Sequence, residues 1–404
     1  MIMLNRSPKG AVGLLSLYVH FPFCKQRCIY CDFNTLGGVK QADRLVYHKA
    51  LLQDLRSAAG QVKIDPGGLR SLYLGGGTPT LAPANWLVEV VDTVREYYGF
   101  NSRAEITVEA NPGTLTLDSL KSLRQCGINR LSMGVQSLNG ELLHKLGRIH
   151  SAQDVADSLS WAREVGFDNI NLDLIYGLPG QTVAIWQDTV EKLLSFKPEH
   201  IACYALSVEE GTPLERALER GLMTLPSEAE VEKMESILRH MLKGSGFEHY
   251  EISNWALPGK QCFHNKAYWR NASYLGVGAG AVSYYNGWRF SRLANPKQYA
   301  QAVSQGLELY SEAERLGSAS RIREYLMLGL RRRCGVKVAQ LLNHFPLIYR
   351  AKLHLALKEF LREIPSELFR FEHGRLRLTG RGRDLSNEIF VRLLECASFE
   401  AAFC

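Results

Sequence analysis

Short apolar runs alternate with amphipathic segments through the first half of the chain. The apolar runs predict six strands, and the segments between them predict five helices. The strands are expected at 15–21, 71–74, 104–110, 130–135, 169–175 and 200–206, and the helices near 41–59, 84–98, 116–125, 151–165 and 182–195. Strand–helix units that repeat roughly every 30 to 35 residues are typical of a parallel sheet. Six units are fewer than a closed eight-fold barrel needs, so we predict an α/β fold, an open three-quarter (β/α)6 barrel, with a flat doubly wound sheet as the alternative.

The pattern changes after residue 225. A predicted helix near 227–243 comes before an aromatic and glycine-rich stretch at 247–290. Helices are then expected near 295–304 and 317–333, a strand at 370–379 and a last helix at 383–396. This order predicts a mostly helical, winged-helix-like C-terminal domain. The expected division is an N-terminal arm at 1–14, a partial barrel at 15–225, a barrel-completing segment at 226–290 and the C-terminal domain at 291–404.

Composition and charge are those of an ordinary globular protein. Of 404 residues, 46% are hydrophobic and 22% charged, and the formal net charge is +7. No apolar run reaches the ~18 residues of a membrane span, and the first residues do not have the pattern of a signal peptide. No basic tail concentrates the charge, so we expect no nucleic-acid partner. The densest basic cluster, Arg331, Arg332 and Arg333, is interpreted as a solvated helix face, with contact to an anionic ligand as the alternative.

Cysteine usage points to a reducing compartment. The chain has nine cysteines, an odd number in a long sequence, which favours the cytoplasm over a disulfide framework. Three of them, Cys24, Cys28 and Cys31, lie close together in the run C-K-Q-R-C-I-Y-C. The other six are scattered and are interpreted as structural. Cys262 is the exception that we keep open, because it lies just before His264.

Five unusual motifs follow the first five predicted strands. They are the cysteine run at 24–31, G-G-G-T-P at 75–79, E-A-N-P-G at 109–113, Gln136, and G-L-P-G-Q-T at 177–182. In parallel sheets, ligands collect at the carboxyl ends of the strands. The motifs therefore predict one shared site at that edge.

The three clustered cysteines are suited to an iron–sulfur cluster. Thiolates are the usual ligands of such clusters, and one tight loop can wrap one cluster. Three ligands instead of four leave one iron open to an external chelate. Two alternatives stay open at this point: a zinc site with Asp32 or His20 as fourth ligand, and three unligated cysteines.

C-x3-C-x2-C in a loop after the first strand resembles the radical SAM superfamily. The resemblance implies a [4Fe–4S] cluster whose open iron is chelated by S-adenosylmethionine (SAM), and whose electron cleaves SAM to a 5′-deoxyadenosyl radical. Residues at matching positions are then expected to bind SAM: Tyr18, Gly75, Gly76, Gly77, Thr78, Glu109, Gln136, Arg148 and Asp173. The residue types suit this role, because glycines allow close backbone approach, a planar guanidinium suits a carboxylate, and acids suit ribose hydroxyls or an ammonium.

D-L-I-Y-G-L-P-G-Q-T at 173–182 narrows the resemblance to one subgroup. It contains oxygen-independent coproporphyrinogen III dehydrogenase and the HemW family of heme chaperones, and the resemblance spans roughly residues 15–395. The dehydrogenase has a fourth cysteine two positions after the third, where this chain has Phe33, and it has a longer N-terminal extension. Both differences favour the chaperones.

H-N-K-A-Y-W at 264–269 resembles an element of the heme chaperones. An imidazole can ligate heme iron, so His264 is a possible axial ligand, and Tyr268 and Trp269 can pack on a porphyrin face. The alternative is that His264 and Asn265 only tie a loop to the barrel. G-V-G-A-G-A at 276–281 fits the dinucleotide fingerprint literally, but we see no clear preceding strand or following helix and reject NAD binding.

Three functions are weighed on these grounds. The favoured one is a cytoplasmic heme chaperone, peripheral to the inner membrane, that passes heme to respiratory-chain proteins there, and in which the cluster and SAM support assembly, homodimer formation or transfer. The second is oxidative decarboxylation of coproporphyrinogen III by the radical SAM mechanism. The third is a radical SAM methyltransferase.

Overall fold

Residues 16–403 are described by the computed structural model, and one large mixed sheet organises most of them. The arm expected at 1–14 lies outside the described residues. The first elements are β1 (Ser16–Phe21), β2 (Phe23–Cys24), β3 (Leu36–Gly37), α1 (Gln41–Ala59), β4 (Leu69–Gly76), α2 (Ala84–Tyr98), β5 (Phe100–Ala110), α3 (Leu117–Gln125), β6 (Arg130–Gln136), α4 (Gly140–Lys145), α5 (Ala152–Glu164), β7 (Ile170–Tyr176), α6 (Val183–Ser195), β8 (His200–Ala205) and α7 (Pro213–Glu219).

The elements that follow are shorter and more mixed. They are α8 (Glu228–Gly244), β9 (Glu248–His249), β10 (Asn254–Ala256), α9 (Phe263–Trp269), β11 (Tyr274–Val277), β12 (Val282–Tyr285), β13 (Trp288–Arg292), α10 (Pro296–Gln305), β14 (Tyr310–Arg315), α11 (Ser318–Arg331), β15 (Val336–Lys337), α12 (Val338–Asn343), α13 (Leu347–Glu363), β16 (Phe369–Glu372), β17 (Arg375–Leu378), α14 (Gly380–Asp384), α15 (Ser386–Glu395) and α16 (Ser398–Ala401). Single turns of 3-10 helix lie at Pro79–Leu81 and Ser366–Leu368.

The six predicted strands are present as a continuous parallel array. The strands β1, β4, β5, β6, β7 and β8 are neighbours in that order, and helices α1, α2, α3, α5 and α6 connect successive members. In the described part of the chain the sheet does not close, because β14 and β9 are its two edges. The prediction of an open, partial (β/α)6 barrel is therefore confirmed.

Six strands in the second half extend this array and were not predicted. β11 pairs in parallel with β1, and β12, β13 and β14 continue antiparallel beyond it, while β10 and β9 extend the opposite side from β8. The turn between β12 and β13 is Asn286-Gly287, with φ of 52° and 77°. An Asn-Gly pair is the usual residue choice for a two-residue hairpin, so one of the missed pairings had a local signal.

The C-terminal part has its own hydrophobic core, formed by buried residues from Ile322 to Ala402. The order α11, β15, α12, α13, β16, β17 places three helices around a three-stranded sheet, which is the winged-helix arrangement expected. The predicted strand at 370–379 is in fact a hairpin, the last helix is divided into α14 and α15, and α12 and α13 were not predicted.

The boundary expected at 290/291, between the barrel-completing segment and the C-terminal domain, falls inside β13. In the structure the division comes after β14. Arg292 on β13 is 1% exposed and donates to Asp54 on α1 from Nε at 2.7 Å and from Nη2 at 3.0 Å. Tyr299 on α10 donates to the same carboxylate at 2.7 Å. Because both residues pack into the core of the main sheet, the chain up to β14 belongs with the barrel.

Arg331 is not the solvated side chain that the sequence predicts. Its guanidinium lies 5.4 Å from the ring centre of Trp269 on α9 and 5.2 Å from that of Phe390 on α15. Burial lowers its pKa from the ordinary value. Arg331 therefore connects the barrel segment to the C-terminal domain through two cation–π contacts.

An Arg331→Ala variant is expected to lose about 1–2 kcal/mol in the free energy of unfolding, since partly desolvated cation–π contacts contribute about this much. Urea denaturation checks this. Arg381→Ala, an exposed change on α14 in the same domain, is the control and should be neutral. Equal stability of the two variants would show that the stacked guanidinium contributes nothing.

Within residues 16–403, no helix is both long enough and apolar enough to cross a bilayer.

Candidate functional site

The cysteine run forms a closed loop at the carboxyl edge of the parallel strands. β2 and β3 pair in parallel, with Cys24 opposite Gly37, and so they close the loop at its base. Arg27 Nη2 donates to the carbonyl of Cys31 at 2.9 Å and so stabilises the turn between them. Cys24, Cys28 and Cys31 are half-buried free thiols. All three are therefore available as ligands in one loop.

The back of this loop is held by β1 and by the glycine-rich segment after β11. His20 Nε2 donates to the carbonyl of Asn34 at 3.0 Å, and Tyr18 Oη donates to His20 Nδ1 at 2.9 Å. Asn34 Nδ2 donates to the carbonyl of Ala279 at 3.1 Å. A Cβ at Gly280 would come within 2.3 Å of Asn34 Nδ2, so the glycine leaves room for this bond.

The G-V-G-A-G-A sequence thus supports the cysteine loop. Contrary to the sequence interpretation, a strand does lead into it, because β11 ends at the second residue of the motif, Val277. The strand β12 follows it and turns back antiparallel. A strand at this place presents no helix N-terminus to a pyrophosphate, which the dinucleotide fingerprint requires.

The zinc alternative has no fourth ligand in this geometry. Both ring nitrogens of His20 are hydrogen-bonded, and Asp32 is exposed. Among residues 16–403, no three Cys, His, Asp or Glu side chains are grouped so that they could hold one metal ion. A cubane cluster has a different requirement, because each thiolate binds a separate iron and the three sulfurs need not point at one atom. The three-cysteine donor set therefore fits a cluster better than an ion.

A chain of hydrogen bonds links two of the cysteines across the loop. Thr78 Oγ1 donates to Cys24 Sγ at 3.7 Å and accepts from Asn111 Nδ2 at 2.7 Å. Asn111 Oδ1 accepts from Arg148 Nη2 at 2.6 Å, and Arg148 Nη1 donates to Cys28 Sγ at 3.6 Å. Hydrogen bonds to the ligand sulfurs are one of the levers that set a cluster's reduction potential.

Asn111 was not among the predicted site residues. It directly follows the end of β5 in V-E-A-N-P-G, and a polar residue just after a parallel strand was the signal that could have identified it. Its amide bridges Thr78 and Arg148, which were both predicted.

The three thiols interact electrostatically. Burial raises the pKa of Cys24 most, the hydrogen bond from Thr78 lowers it, and the nearby Cys31 and Cys28 raise it further. Three thiolates this close repel one another unless a cation neutralises them. Iron bound among them would supply that positive charge and keep all three deprotonated.

The G-G-G-T-P loop approaches the cysteines too closely for any side chain. A Cβ at Gly77 would lie 2.6 Å from the carbonyl oxygen of Phe23 and 3.0 Å from Cys24 Sγ. Gly76 has a φ of 115°, which favours glycine. A Cβ at Gly75 would lie 2.8 Å from Tyr73 Cε1. The backbone of this loop therefore packs directly against Cys24.

Two half-buried acids, Glu109 and Asp173, face the same interior. The pKa of Glu109 is raised to about 7, mainly by burial and in part by the Asp173 charge, although the hydrogen bond from Tyr73 lowers it. Glu109 accepts from Tyr73 Oη at 2.7 Å and from the Gly76 backbone N–H at 3.0 Å, so it also holds the glycine loop. Burial likewise raises the pKa of Asp173 to about 6. Acids perturbed in this way at the carboxyl edge are typical of a functional site.

Gln136 has a strained backbone at the end of β6. Its φ is 65°, which is uncommon outside glycine, and the pairing with β7 is irregular between Gly134 and Gln136. A Cβ at Gly134 would lie 3.1 Å from Gln136 Nε2 and 3.0 Å from Asn111 Oδ1, so glycine there makes room for both amides. Strain of this kind is concentrated at ligand sites.

The ligand-free protein is expected to lose stability as the pH rises from about 4 to about 7. The folded state holds the protons of Glu109 and Asp173 up to pKa values of about 7 and about 6, while the unfolded chain releases them lower. The stabilisation is complete below the ordinary carboxyl pKa and is lost as the pH passes these values. The free energy of unfolding, measured with urea across this range, should fall less steeply with pH for Glu109→Gln than for the wild type. Glu96→Gln, an exposed control, should keep the wild-type pH dependence. The same pH dependence in Glu109→Gln and in the wild type would contradict the raised pKa of Glu109 in the folded state.

The H-N-K-A-Y-W element is packed inside the protein. His264 is 1% exposed, its Nδ1 bonds Ser71 Oγ at 2.9 Å and its Nε2 bonds Tyr268 Oη at 2.9 Å. Burial lowers its pKa to about 3. Both ring nitrogens are occupied, so neither can bind iron in this structure, and the axial-ligand interpretation is not supported. The alternative, that His264 anchors the segment, fits its contacts.

The neighbours of His264 have structural contacts too. Glu105 on β5 accepts from the backbone N–H of His264 at 3.0 Å and from Cys262 Sγ at 3.3 Å. Burial raises the pKa of Cys262 to about 12, so it is a protonated structural thiol. Tyr268 packs edge-on against Tyr274, and Trp269 lies against Arg331.

Comparisons with known proteins identify the family of this chain. The family model described as Radical SAM superfamily matches residues 18–193. Curated proteins named Heme chaperone HemW from Lactococcus lactis and Bacillus subtilis are 36% and 35% identical to the chain, over 94% of its length and over 97% and 99% of theirs. The solved structure of coproporphyrinogen III oxidase (HemN) from Escherichia coli, a radical SAM enzyme, superposes with a TM-score of 0.81 at 26% identity, covering 97% of this chain and 92% of that one. The similarity is therefore nearly full-length, and the chain belongs to the HemW family of radical SAM proteins.

Proposed function

We propose that this protein is a heme chaperone that takes up heme and passes it to heme proteins of the respiratory chain. The observation that carries the proposal is the similarity, over 94% of the chain, to proteins named as heme chaperones. Phe33 supports it, because the side chain at the position of the dehydrogenase's fourth cysteine is an exposed phenyl ring that cannot bind iron. The client proteins on this proposal are membrane-bound, and the chaperone works as a homodimer on the cytoplasmic face of that membrane.

The proposal assigns the carboxyl edge of the barrel to a [4Fe–4S] cluster and SAM. Cys24, Cys28 and Cys31 hold the cluster, which when bound supplies one electron to SAM. The SAM-binding residues are those predicted, Tyr18, Gly75, Gly76, Gly77, Thr78, Glu109, Gln136, Arg148 and Asp173. To these we add Asn111, because it bridges Thr78 and Arg148.

We assign these residues the following roles in SAM binding. Arg148, whose Nε is buried without a partner among the described residues, orients a carboxylate beside Cys28. The glycine loop, held by Glu109, accepts an ammonium through backbone carbonyls. Gln136 and Asp173 hold ribose hydroxyls. Tyr18 packs on Tyr73 with ring centres 6.2 Å apart and forms the apolar floor.

A second candidate function is the oxidative decarboxylation of coproporphyrinogen III. The superposition on HemN over 97% of the chain favours it. The absence of a fourth cysteine, with Phe33 in its place, argues against it.

One experiment separates the two functions. The protein is reconstituted with iron and sulfide without oxygen and titrated with heme, and a second sample receives SAM, a reductant and coproporphyrinogen III. The chaperone proposal predicts a saturable Soret-absorbing complex and no protoporphyrinogen. No heme complex under reducing conditions would reject the proposal, and formation of protoporphyrinogen would favour the dehydrogenase.

A further inference from the structure

A cavity of about 450 Å³ is lined by residues of β9, of α9 and of the segment that follows α11. Four of its lining side chains are cationic: Lys266, Arg270, Arg332 and Arg333. Cavities of about 300–1,000 Å³ hold ligands the size of cofactors. The function proposed above does not yet use this cavity.

The cations around the cavity outnumber the carboxylates that line it. Within residues 16–403, none of the four cations forms an ion pair, and Glu248 is the only carboxylate in the lining. Burial lowers the pKa of Lys266 and the charge of Arg270 lowers it further, while the Glu105 charge raises it in part. Arg332 Nε is buried without a partner in the described residues. Mutually repelling, partly desolvated cations around an open space indicate an anionic ligand.

His249 adds a metal-binding group to the lining. Its Nε2 bonds the carbonyl of Ile252 at 2.9 Å, and since a carbonyl only accepts, Nε2 carries the proton and Nδ1 keeps its lone pair. The ring stacks on Trp255 with centres 4.0 Å apart and planes 6° apart, which fixes its orientation. A neutral imidazole that donates its other N–H to a backbone carbonyl is the usual form of a histidine metal ligand. His264, by contrast, has both nitrogens occupied.

We propose that this cavity receives the heme, with His249 Nδ1 directed to the iron and with Lys266, Arg270, Arg332 and Arg333 around the propionates. The inference rests on the proposed heme-chaperone function and locates the site of that function. It combines the two chemistries that heme offers, a metal that binds imidazole and carboxylates that bind guanidinium groups.

The cavity is separate from the SAM site but is joined to it by hydrogen bonds. Tyr250, which lines the cavity, donates to His200 Nε2 at 2.8 Å. His200 Nδ1 donates to Asn171 Oδ1 at 2.6 Å, and Asn171 Nδ2 donates to Asp173 at 2.6 Å. Tyr250 therefore connects the proposed heme site to Asp173, one of the two half-buried acids of the proposed SAM site.

The test is a heme titration of the full-length, cluster-reconstituted protein, followed by the Soret band and the electron paramagnetic resonance (EPR) of ferric heme. Arg270→Gln/Arg333→Gln changes two exposed side chains for which the described residues offer no hydrogen bond or ion pair, so its fold should be intact. We expect this variant to bind heme about 10- to 100-fold more weakly, the effect of losing charge-assisted bonds. Heme dimethyl ester, which has no propionate charge, should bind both proteins alike. Arg103→Gln/Arg381→Gln, two exposed changes away from the cavity, is the matched control.

The axial ligand is tested separately. His249→Gln should change the ferric heme EPR signature, and His264→Gln should leave it unchanged, when the two are compared at equal cluster content. The outcomes are distinguishable. If the wild type binds heme and the double arginine variant binds it equally well, the cavity is rejected while the proposed function stands. If His264→Gln alone alters the signature, the His249 assignment is wrong. If the wild type binds no heme, the proposed function fails and this inference fails with it.

Discussion

A Cys28→Ser variant, reconstituted without oxygen, is expected to hold almost no iron, whereas the wild type should hold about four irons per chain. Each of the three thiolates is the only protein ligand of its iron in the proposed site. Cys28 also accepts a hydrogen bond from Arg148, so its loss removes one end of the Cys24–Thr78–Asn111–Arg148–Cys28 chain. Iron and sulfide analysis together with the EPR spectrum of the reduced protein measures the effect.

The matched control is Cys126→Ser. Cys126 is also a half-buried free thiol, but its sulfur donates to the carbonyl of Leu123 at 3.1 Å, within the turn that ends α3. This variant should keep the wild-type iron content. A Cys28→Ser protein that retains all of its iron would place the cluster elsewhere.

A Gly77→Ala variant is expected to bind SAM about 10- to 100-fold more weakly than the wild type. The added Cβ would lie 2.6 Å from the carbonyl oxygen of Phe23 and 3.0 Å from Cys24 Sγ. The nearest neighbour is backbone, and Cys24 is a proposed cluster ligand, so the glycine loop must move away from the cluster, and overpacking of this kind costs about 1–3 kcal/mol. Isothermal titration of the reconstituted protein with SAM gives the affinity.

Gly140→Ala is the control for this loop. Gly140 is the first residue of α4, and nothing lies within 4 Å of a Cβ built there. Alanine is also the better helix former, so this change should leave both SAM affinity and stability intact or slightly improved. Wild-type SAM affinity in Gly77→Ala would mean that the loop does not contact SAM.

The sequence predicted the barrel well because its strands and helices carry local signals. The central strands are apolar runs, and β6 is buried along nearly its whole length. The helices α3 and α5 begin at capping boxes on Thr116 and Ser151, which set their starts by short-range hydrogen bonds. The six strands from β9 to β14 were missed because they have two to six residues each and depend on pairing with distant segments.

The site was predictable as a list of positions but not as a set of contacts. The motif spacing identified the three cysteines and the glycine loop, whereas Asn111 acts through side chains that lie 33 and 37 residues away along the chain. The role of His264 could not be read from its motif, since it depends on Ser71, which lies 193 residues away. The stacking of Arg331 between Trp269 and Phe390 depends likewise on how two cores meet.

The most direct test of the central claim is the EPR spectrum of the reduced, reconstituted protein recorded with and without SAM. Three thiolate ligands and one open iron predict a single [4Fe–4S]⁺ signal whose g values shift when SAM binds to that iron. A signal that SAM leaves unchanged, or a protein that binds zinc and forms no cluster, would contradict the assignment of Cys24, Cys28 and Cys31.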